Sequence, residues 1–298
     1  MTTDTGYLDW LCIGAQKAGT STLFRLLQEH PEIFVPPSKE DPLFDRPVTT
    51  PQVTDYMVKR FRTVAKSIKC GTVTPQYMIS VDIAERVHTY LPDARIIAIL
   101  RNPIYRAFSH YQMATRKSHE GRSFDEAVRS QISQLEAGHR PEPHDDTEAY
   151  VWRGCYATLL KPWFEQFDRS QILVVLTDDL EKDPVQVMTE IQKHLGITVH
   201  APTNPNLYSN VAPPTHRLSI LRTALEASLR RLHVLKLIPT DRRLRYAERL
   251  ARLERRLSHV APAKAPSIDD TTLSLLKSFY YSQNRQLESL LDRTPIWN

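Results

Sequence analysis

Residues 11–21 read LCIGAQKAGTS, and this stretch decides the fold. Its apolar start predicts a short strand, and Gly14 and Gly19 bound the turn that follows. The hydroxyl run at residues 20–22 then opens the amphipathic segment LFRLLQEH, which predicts a helix. A strand, a glycine turn and a helix N-terminus together present backbone N–H groups and the positive end of a helix dipole to an anion. We therefore expect a phosphate-like group to bind at this loop.

The position of the lysine in this loop narrows the choice of ligand. The spacing from Gly14 to Gly19 matches the first half of a Walker A loop, but Thr20 stands where a nucleoside triphosphatase carries its lysine. This chain has its lysine at position 17, inside the loop. The displacement indicates a phosphate-like group other than the β- and γ-phosphates of a magnesium nucleotide.

Composition and charge are those of an ordinary globular chain. Of its 298 residues, 41% are hydrophobic and 24% are charged. The net charge of +5 fits an anionic ligand, a nucleic acid or a membrane surface equally well. The N-terminal residues lack the features of a secretory signal, and the apolar stretch ARIIAIL is too short to span a membrane. Because Cys12, Cys70 and Cys155 lie far apart, they predict neither a disulfide framework nor a zinc site, and we expect a cytoplasmic protein.

Three uninterrupted apolar runs predict buried parallel strands, at Trp10–Gly14, Arg95–Leu100 and Gln171–Leu176. Helical patterns precede or follow them, at Ser21–His30, Ser80–Leu91, Ile104–Lys117, Ser123–Ala137, Ala149–Phe167 and Pro184–Leu195. Strands that alternate with helices over residues 10–200 predict an α/β fold, with a P-loop-like parallel sheet flanked by helices. Ligands of such sheets bind beyond the carboxyl ends of the strands, where the first loop lies.

The remaining stretches complete the organisation of the chain. Glu32–Pro51 is proline-rich and is expected to run irregularly over the surface. His216–Val260 is basic and has the apolar spacing of helices; a solvated hairpin, a lid over the acceptor site, a dimer contact and a membrane-surface contact are all open. A last helix begins with the capping pattern Ser267-x-x-Asp270. We expect a single domain with an α/β core over residues 8–212, a helical insertion or lid over 213–260 and a C-terminal helix over 267–292.

A second anion site is predicted in the segment ILRNPIYRAFSHY, residues 99–111. The buried strand ends at Leu100, so Arg101 lies at the crevice where ligands bind. An Asn-Pro turn follows, and the next helix carries Ser109. A guanidinium at the strand end and a hydroxyl on the helix can converge on a second phosphate. Taken alone, a surface ion pair for Arg101 and a solvated Ser109 explain the same residues.

Together, GAQKAGTSTL and LRNPIYRAFSHY resemble the two cofactor-binding signatures of sulfotransferases that use 3′-phosphoadenosine 5′-phosphosulfate (PAPS), in the heparan-sulfate-type and bacterial branch. The resemblance covers about residues 8–212 and the final helix. It implies that Arg101 and Ser109 hold the 3′-phosphate, and that Arg217 lies where related enzymes close a loop over the nucleotide. The residues that it implies for the 5′-phosphosulfate are Gly14, Lys17, Ala18, Gly19, Thr20, Ser21 and Thr22.

The segment PSKEDPLFD, residues 37–45, carries the candidate base. It resembles a region of the heparan-sulfate-type enzymes in which a lysine–glutamate pair precedes an aromatic-rich stretch and the glutamate is the base. The resemblance implies that Glu40 deprotonates the acceptor, with Lys39 close to the transferring sulfuryl group. An ordinary charged loop is the alternative from composition alone. His110 or His119 is the rival base, as in the cytosolic branch.

Acceptor contacts are expected around CGTVTPQYM, residues 70–78. This stretch resembles the family's Ser/Thr-Pro-x-Tyr element, which lies near the acceptor. Val73 stands where the heparan-modifying enzymes commonly have a basic residue, and this departure favours a less charged acceptor. The segment that begins at Arg153 also resembles the family, and we expect it to serve packing. The residues expected to contact the acceptor are Phe44, Thr74, Pro75, Tyr77 and His110.

The sequence therefore predicts an enzyme that moves the sulfuryl group of PAPS to a hydroxyl of a small molecule, a carbohydrate or a natural product. No metal is expected, because strand 95–100 ends in Arg101 rather than in a Walker B aspartate, and Lys17 supplies the charge that magnesium supplies in kinases. The alternatives are a nucleotide kinase or other phosphotransferase, and a basic protein that binds nucleic acid or membranes. We expect neither a nucleic-acid partner nor a membrane span, and the oligomeric state, a homodimer included, stays open.

Overall fold

The computed structural model describes residues 8–117, 119–141, 147–203, 267–293 and 296–297. Residues 8–203 and 268–297 of this set belong to one compact unit. The helical segment predicted over residues 213–260, and with it Arg217, lies outside the described residues. The single-domain organisation therefore stays a prediction.

The described chain has a central sheet of five parallel strands in the order β2-β3-β1-β4-β5. The strands are β1 (Trp10–Gly14), β2 (Ile33–Phe34), β3 (Lys69–Val73), β4 (Arg95–Leu100) and β5 (Ile172–Leu176). The register aligns Trp10 of the central strand with Gly71 on one side and with Arg95 on the other. The three predicted strands are present, although β5 begins one residue later than expected, and the predicted fold class is confirmed.

The burial of the central strands explains their uninterrupted apolar sequence. Every residue of β1 is buried, as is every residue of β4 after Arg95. The indole of Trp10 packs directly on β3, because a Cβ added at Gly71 would lie 2.0 Å from Trp10 Cε2. Any side chain at this glycine would displace the indole from the sheet.

Helices flank the sheet, and several of their ends follow from the sequence. The structure has α1 (Thr20–Gln28), α2 (Thr50–Phe61), α3 (Asp82–Tyr90), α4 (Pro103–Arg116), α5 (Phe124–Glu136), α6 (Tyr156–Gln166), α7 (Thr177–Lys182), α8 (Pro184–Leu195) and α9 (Asp270–Leu291). Both ends of α8 are as predicted. Asp183 caps its start by accepting a hydrogen bond from Gln186 N at 2.9 Å, and Gly196 ends it with φ 68°.

The helix predicted over Ala149–Phe167 is broken in the structure. Residues 152–154 form a 3₁₀ turn, and α6 begins only at Tyr156. A Cβ added at Gly154 would lie 2.5 Å from the hydroxyl of Tyr280, which itself donates to Val151 O at 2.7 Å. Packing against α9 therefore decides the backbone here, and it overrides the local helical spacing.

The predicted cap of the last helix is also wrong. Asp269, and not Ser267, is the capping residue, because its Oδ1 accepts a hydrogen bond from Thr272 N at 2.8 Å. The helix consequently begins at Asp270.

Helix α2 and strand β2 were not among the predicted elements. They lie at the two ends of the stretch 32–51 that was expected to be irregular. The signals for α2 are present in the sequence, because Thr49 and Gln52 form a capping box and Val53 and Met57 recur on one buried face. The proline at its first turn marks a helix start rather than a loop.

Two structural absences and the state of the cysteines complete the description. Within the described ranges, no helix is long and apolar enough to cross a membrane. In the same ranges, no group of three or more His, Cys, Asp or Glu side chains is placed to hold a metal ion.

Cys12, Cys70 and Cys155 are buried and unbridged. Burial raises the pKa of each thiol to about 12, which leaves them poor nucleophiles.

Candidate active site

The loop at residues 14–22, which we call the donor loop, follows β1 and leads into α1. Ala15 N donates a hydrogen bond to Ile99 O at 2.6 Å, so the loop is attached to β4 as well as to β1. Gly19 precedes α1 with φ 96°, a conformation that favours glycine. The start of α1 has no side-chain cap and no acidic residue in its first turn. Such a helix N-terminus is open to an anion.

The residues predicted for the phosphosulfate all lie along this loop. Thr20 opens α1 and is buried, and the side chains that follow it in the first turn are half-buried. Ala18 is buried, and its carbonyl accepts a hydrogen bond from Thr177 Oγ1 at 2.6 Å. A Cβ added at Gly14 would lie 2.8 Å from Met78 Cβ, so the loop runs in close contact with the turn after β3. Glycine at position 14 thus allows two functional segments to approach each other.

Lys17 lies in a field of positive charge. Arg101 Nη1 donates to the carbonyl of Lys17 at 3.4 Å, and the Lys17 ammonium lies 3.9 Å from Met113 Sδ on α4. Burial, followed by the nearby cations Arg116, Arg101, Lys117 and Arg106, lowers the pKa of Lys17 to about 8. The positive charge around Lys17 therefore favours the binding of an anion here.

These five cations have one further property in common. Among the described residues, none of them takes part in an ion pair. Arg106 is completely buried and donates to the carbonyl of Tyr150 rather than to a carboxylate. Cations that are gathered without acidic partners create a potential that attracts an anionic ligand.

The predicted second anion site lies at the start of α4. Arg101 follows β4 directly, half-buried, and its carbonyl accepts a hydrogen bond from Tyr156 Oη at 2.8 Å. Ser109 lies further along α4 and is also half-buried. The guanidinium that contacts the donor loop thus comes from the end of the strand next to β1, and a role of Arg101 and Ser109 in holding a phosphate stays a prediction.

The segment 39–41, which we call the base loop, lies beside the donor loop. Lys39 Nζ donates to Glu40 Oε1 at 3.0 Å and to Thr20 Oγ1 at 3.4 Å. The Lys39 side chain is only 16% exposed, whereas that of Glu40 is 42% exposed. One half-buried ammonium therefore connects the first residue of α1 with an accessible carboxylate.

The 3₁₀ turn at Pro75–Met78, together with the residue before it, holds the base loop in place. Asp41 N donates to Thr74 Oγ1 at 3.0 Å, and Tyr77 Oη donates to the carbonyl of Asp41. Gln76 Nε2 donates to Glu40 Oε2 at 3.0 Å. Three side chains of one short turn thus contact two consecutive residues of the base loop.

The side chains that were predicted to contact the acceptor are buried. Thr74 and Tyr77 direct their hydroxyls to the base loop, and Phe44 packs against the rings of Tyr77 and Tyr90. His110 is completely buried with its ring edge-on to Tyr150. Acceptor contact by these residues stays a prediction, and their burial gives it no support. The fully or nearly fully buried residues of this set are Phe44, Thr74, Pro75, Tyr77 and His110.

Several residues that shape the site were not predicted. Arg153 donates to the side-chain carbonyl of Gln16 in the donor loop, although mainly packing was expected of it. Thr177 donates to the carbonyls of Ala18 and Leu100, and so ties the donor loop to β4. A usable signal existed for Thr177, because it follows an apolar strand at its carboxyl end, where ligand sites of such sheets form.

The chain was compared with known proteins. The family described as the sulfotransferase domain matches residues 8–211. Mouse bifunctional heparan sulfate N-deacetylase/N-sulfotransferase 4 is 31% identical over 200 residues, which cover 64% of this chain and 22% of the relative. Human heparan sulfate glucosamine 3-O-sulfotransferase 6 is 28% identical over 204 residues, which cover 67% of this chain and 55% of the relative. This chain thus spans about a fifth of one relative and about half of the other.

A solved structure agrees with this assignment at the level of fold. The crystal structure of a sulfotransferase from Alicyclobacillus acidocaldarius superposes with a TM-score of 0.64 at 23% identity, and the match covers 97% of each chain. The family match covers more than half of the chain and includes the donor loop, the base loop and the start of α4. The chain therefore belongs to the sulfotransferase family.

Proposed function

We propose that this protein transfers the sulfuryl group of PAPS to a hydroxyl of a small-molecule, carbohydrate or natural-product acceptor. The observation that carries the proposal is the position of Lys39. Its ammonium connects Thr20, at the open N-terminus of α1, with the exposed carboxylate of Glu40. A donor site for an anion and a base for an acceptor thus meet at a single cation.

Two features of the chain fit the two anionic groups of PAPS. The uncapped start of α1, with no acid in its first turn, suits the 5′-phosphosulfate. Arg101 and Ser109, at the end of β4 and on α4, suit the 3′-phosphate, because a guanidinium and a hydroxyl both donate to phosphate oxygens. Lys17 and its cationic neighbours would offset the charge of the nucleotide as a whole.

In the proposed transfer, the base and the donor loop have separate roles. The Glu40 carboxylate takes the proton of the acceptor hydroxyl, while the acceptor oxygen forms a bond to sulfur. The bond between that sulfur and the 5′-phosphate oxygen breaks, and adenosine 3′,5′-bisphosphate leaves. Lys39 and the N–H groups of the donor loop stabilise the negative charge that grows on the departing phosphate.

The proposed acceptor rests on more limited support. Both relatives are named for heparan sulfate, one as an N-sulfotransferase and the other as a glucosamine 3-O-sulfotransferase. In this chain Val73, at the end of β3, is apolar and completely buried, so it adds no charge for a sulfated polymer. A hydroxylated acceptor of lower charge is therefore proposed. The cytoplasmic location predicted from the sequence also remains a proposal.

Calorimetric titration tests the donor. We expect adenosine 3′,5′-bisphosphate to bind in preference to ATP with magnesium, because Thr20 occupies the lysine position of a nucleoside triphosphatase and Arg101 follows β4 in place of an aspartate. Preference for ATP with magnesium would reject the proposal in favour of a phosphotransferase. Incubation with ³⁵S-labelled PAPS and a panel of hydroxylated sugars, lipids and natural products would then identify the acceptor.

A further inference from the structure

The carboxylate of Glu40 is held from both sides. Lys39 Nζ donates to Oε1 at 3.0 Å, and Gln76 Nε2 donates to Oε2 at 3.0 Å. Within the described part of the chain, each oxygen therefore accepts one hydrogen bond and keeps further capacity to accept. Because the side chain is 42% exposed, this remaining capacity is within reach of an acceptor.

The orientation of the Gln76 amide points to the same partner. Its carbonyl oxygen is buried and has no hydrogen-bond partner among the described residues. A buried carbonyl without a partner is costly, and among the described residues the hydrogen bond that this orientation provides is the one to Glu40. Turning the amide over would direct a carbonyl oxygen at a carboxylate oxygen, and the two would repel each other.

The bond between Gln76 and Glu40 also has a rigid frame. Tyr77 N donates to Thr74 O at 3.1 Å and Ile79 N donates to Gln76 O at 3.1 Å, which fixes the turn that carries the glutamine. The hydroxyls of Thr74 and Tyr77 fix the base loop to that same turn through Asp41. The amide and the carboxylate are consequently attached to a single structural unit.

We propose that Gln76 is a positioning residue for the base, and that it sets the direction in which the Glu40 carboxylate meets the acceptor proton. The inference rests on the proposed function. The amide does this without adding charge, so Lys39 remains the one cation that the described residues place in contact with Glu40. The carboxylate of the neighbouring Asp41 is paired instead with Arg60 of α2 at 3.3 Å.

The test compares Gln76→Leu, which keeps the approximate size but removes the donor, with Glu40→Gln and the double variant. The assay follows sulfate transfer from ³⁵S-labelled PAPS to p-nitrophenyl β-glucosaminide, a probe with several hydroxyls. For Gln76→Leu we expect kcat to fall about tenfold to a hundredfold, the loss of one hydrogen bond to a charged group. The KM for PAPS and the affinity for adenosine 3′,5′-bisphosphate should change by less than about twofold, because the donor loop is untouched.

The double variant separates positioning from general damage. If Gln76 acts through Glu40, then adding Gln76→Leu to Glu40→Gln costs no further activity. Multiplicative losses, an unchanged kcat in Gln76→Leu or a weakened bisphosphate affinity would each overturn the inference. In Gln76→Glu, the donor is replaced by a second carboxylate that repels Glu40, and kcat should fall at least as far as in Gln76→Leu.

A spectroscopic measurement keeps this result distinct from failure of the proposed function. The side-chain amide resonance of Gln76 in ¹⁵N-glutamine-labelled protein should shift in Glu40→Gln and should stay unchanged in Glu136→Gln. An amide resonance that does not respond to Glu40→Gln rejects the contact, whether or not the enzyme uses PAPS. Absence of both bisphosphate binding and sulfate transfer in the wild type, with the amide responding normally, rejects the proposed function instead.

Discussion

The donor loop and the base loop lie side by side, but their charged groups are paired in opposite ways. The cations around the donor loop have no acidic partner in the described chain, and the start of α1 has no side-chain cap. In the base loop each charge is matched, since Lys39 contacts Glu40 and Asp41 contacts Arg60. The donor loop therefore keeps unpaired positive charge that a ligand can neutralise, whereas the base loop holds Glu40, the proposed base, by ion pairs and hydrogen bonds.

This difference has a physical reason. An anion binds well where cations and N–H groups are already in place and lack competing partners. A general base needs a fixed direction and access to the acceptor, and hydrogen bonds to both of its oxygens provide the direction. The contrast predicts that substitutions in the first half change ligand affinity, and that substitutions in the second change turnover.

The largest effect is expected from Glu40→Gln, which removes the base and keeps the shape of the side chain. We expect kcat to fall roughly 10² to 10⁴-fold, the usual contribution of a general base. Binding of adenosine 3′,5′-bisphosphate, measured by calorimetry, should be unchanged. Glu136→Gln, at the exposed end of α5, is the matched control and should leave both quantities alone. Near-normal turnover in Glu40→Gln would transfer the role to the exposed His119, since His110 is buried.

The next effect concerns Arg101, on the donor side. Arg101→Ala should weaken binding of adenosine 3′,5′-bisphosphate by about tenfold to a hundredfold, the loss of hydrogen bonds to a charged group. Binding of AMP, which lacks the 3′-phosphate, should change much less. Exposed Arg62 provides the control variant Arg62→Ala. Equal weakening for both nucleotides would show that Arg101 does not hold the 3′-phosphate.

A smaller, pH-dependent effect is expected from Lys17. Its pKa is lowered to about 8 in the unliganded protein, and a bound anion favours the ammonium form. Affinity for adenosine 3′,5′-bisphosphate should therefore be greatest below pH 8 and should fall by up to about tenfold per unit above it. Lys17→Arg, which stays charged, should show no such decline between pH 7 and 9. A pH-independent wild-type affinity would mean that Lys17 does not sense the ligand.

Lys17 should also affect the stability of the unliganded protein, and this effect has the opposite dependence on pH. A lysine whose folded pKa lies below its unfolded value of 10.5 binds fewer protons in the folded state between about pH 8 and 10.5. Its contribution to the free energy of unfolding therefore increases as the pH rises through this range. Denaturation of wild type and Lys17→Arg in parallel separates this effect from other titrations. The prediction is contradicted if the stability of the wild type does not increase with pH relative to that of the variant.

The smallest effect is expected at the frame of the base loop. Tyr77→Phe removes a buried hydroxyl that donates to Asp41 O and leaves that carbonyl without this donor. A loss of about 1 kcal/mol in the free energy of unfolding is expected, or roughly 2–4 °C in Tm. Tyr281→Phe, 69% exposed on α9, should change neither stability nor activity. A large fall in bisphosphate affinity in Tyr77→Phe would contradict the prediction that substitutions at the base loop leave ligand affinity unchanged.

The contrast also explains which parts of the site could be predicted from the sequence. The donor loop is contiguous, so its glycines, its lysine and its helix start could be placed from local chemistry alone. Thr74 and Tyr77 were assigned to the acceptor from the family resemblance. Their contacts with Asp41 could not be predicted, because Asp41 lies in a distant segment that only the tertiary fold brings near. The role of Gln76 could not be predicted, because a glutamine side chain indicates no particular function until its hydrogen-bond partner is known.

The same reasoning applies to the fold. Strands β1 and β4 are buried on both faces, and their uninterrupted apolar runs identify them. The break before α6 could not be predicted, because it depends on contact with Tyr280, which lies in the last helix. Local pattern identifies an element, but the neighbours of that element determine where it ends.

The close approach of Gly14 and Met78 has a consequence for the choice of acceptor. No side chain fits between the donor loop and the turn after β3, and Met78 is almost completely buried there. Among the described residues, the side of the donor loop that faces this turn is thus closed by packing. Under the proposed function, the acceptor hydroxyl reaches Glu40 from the exposed side of its carboxylate, whatever the size of the rest of the acceptor.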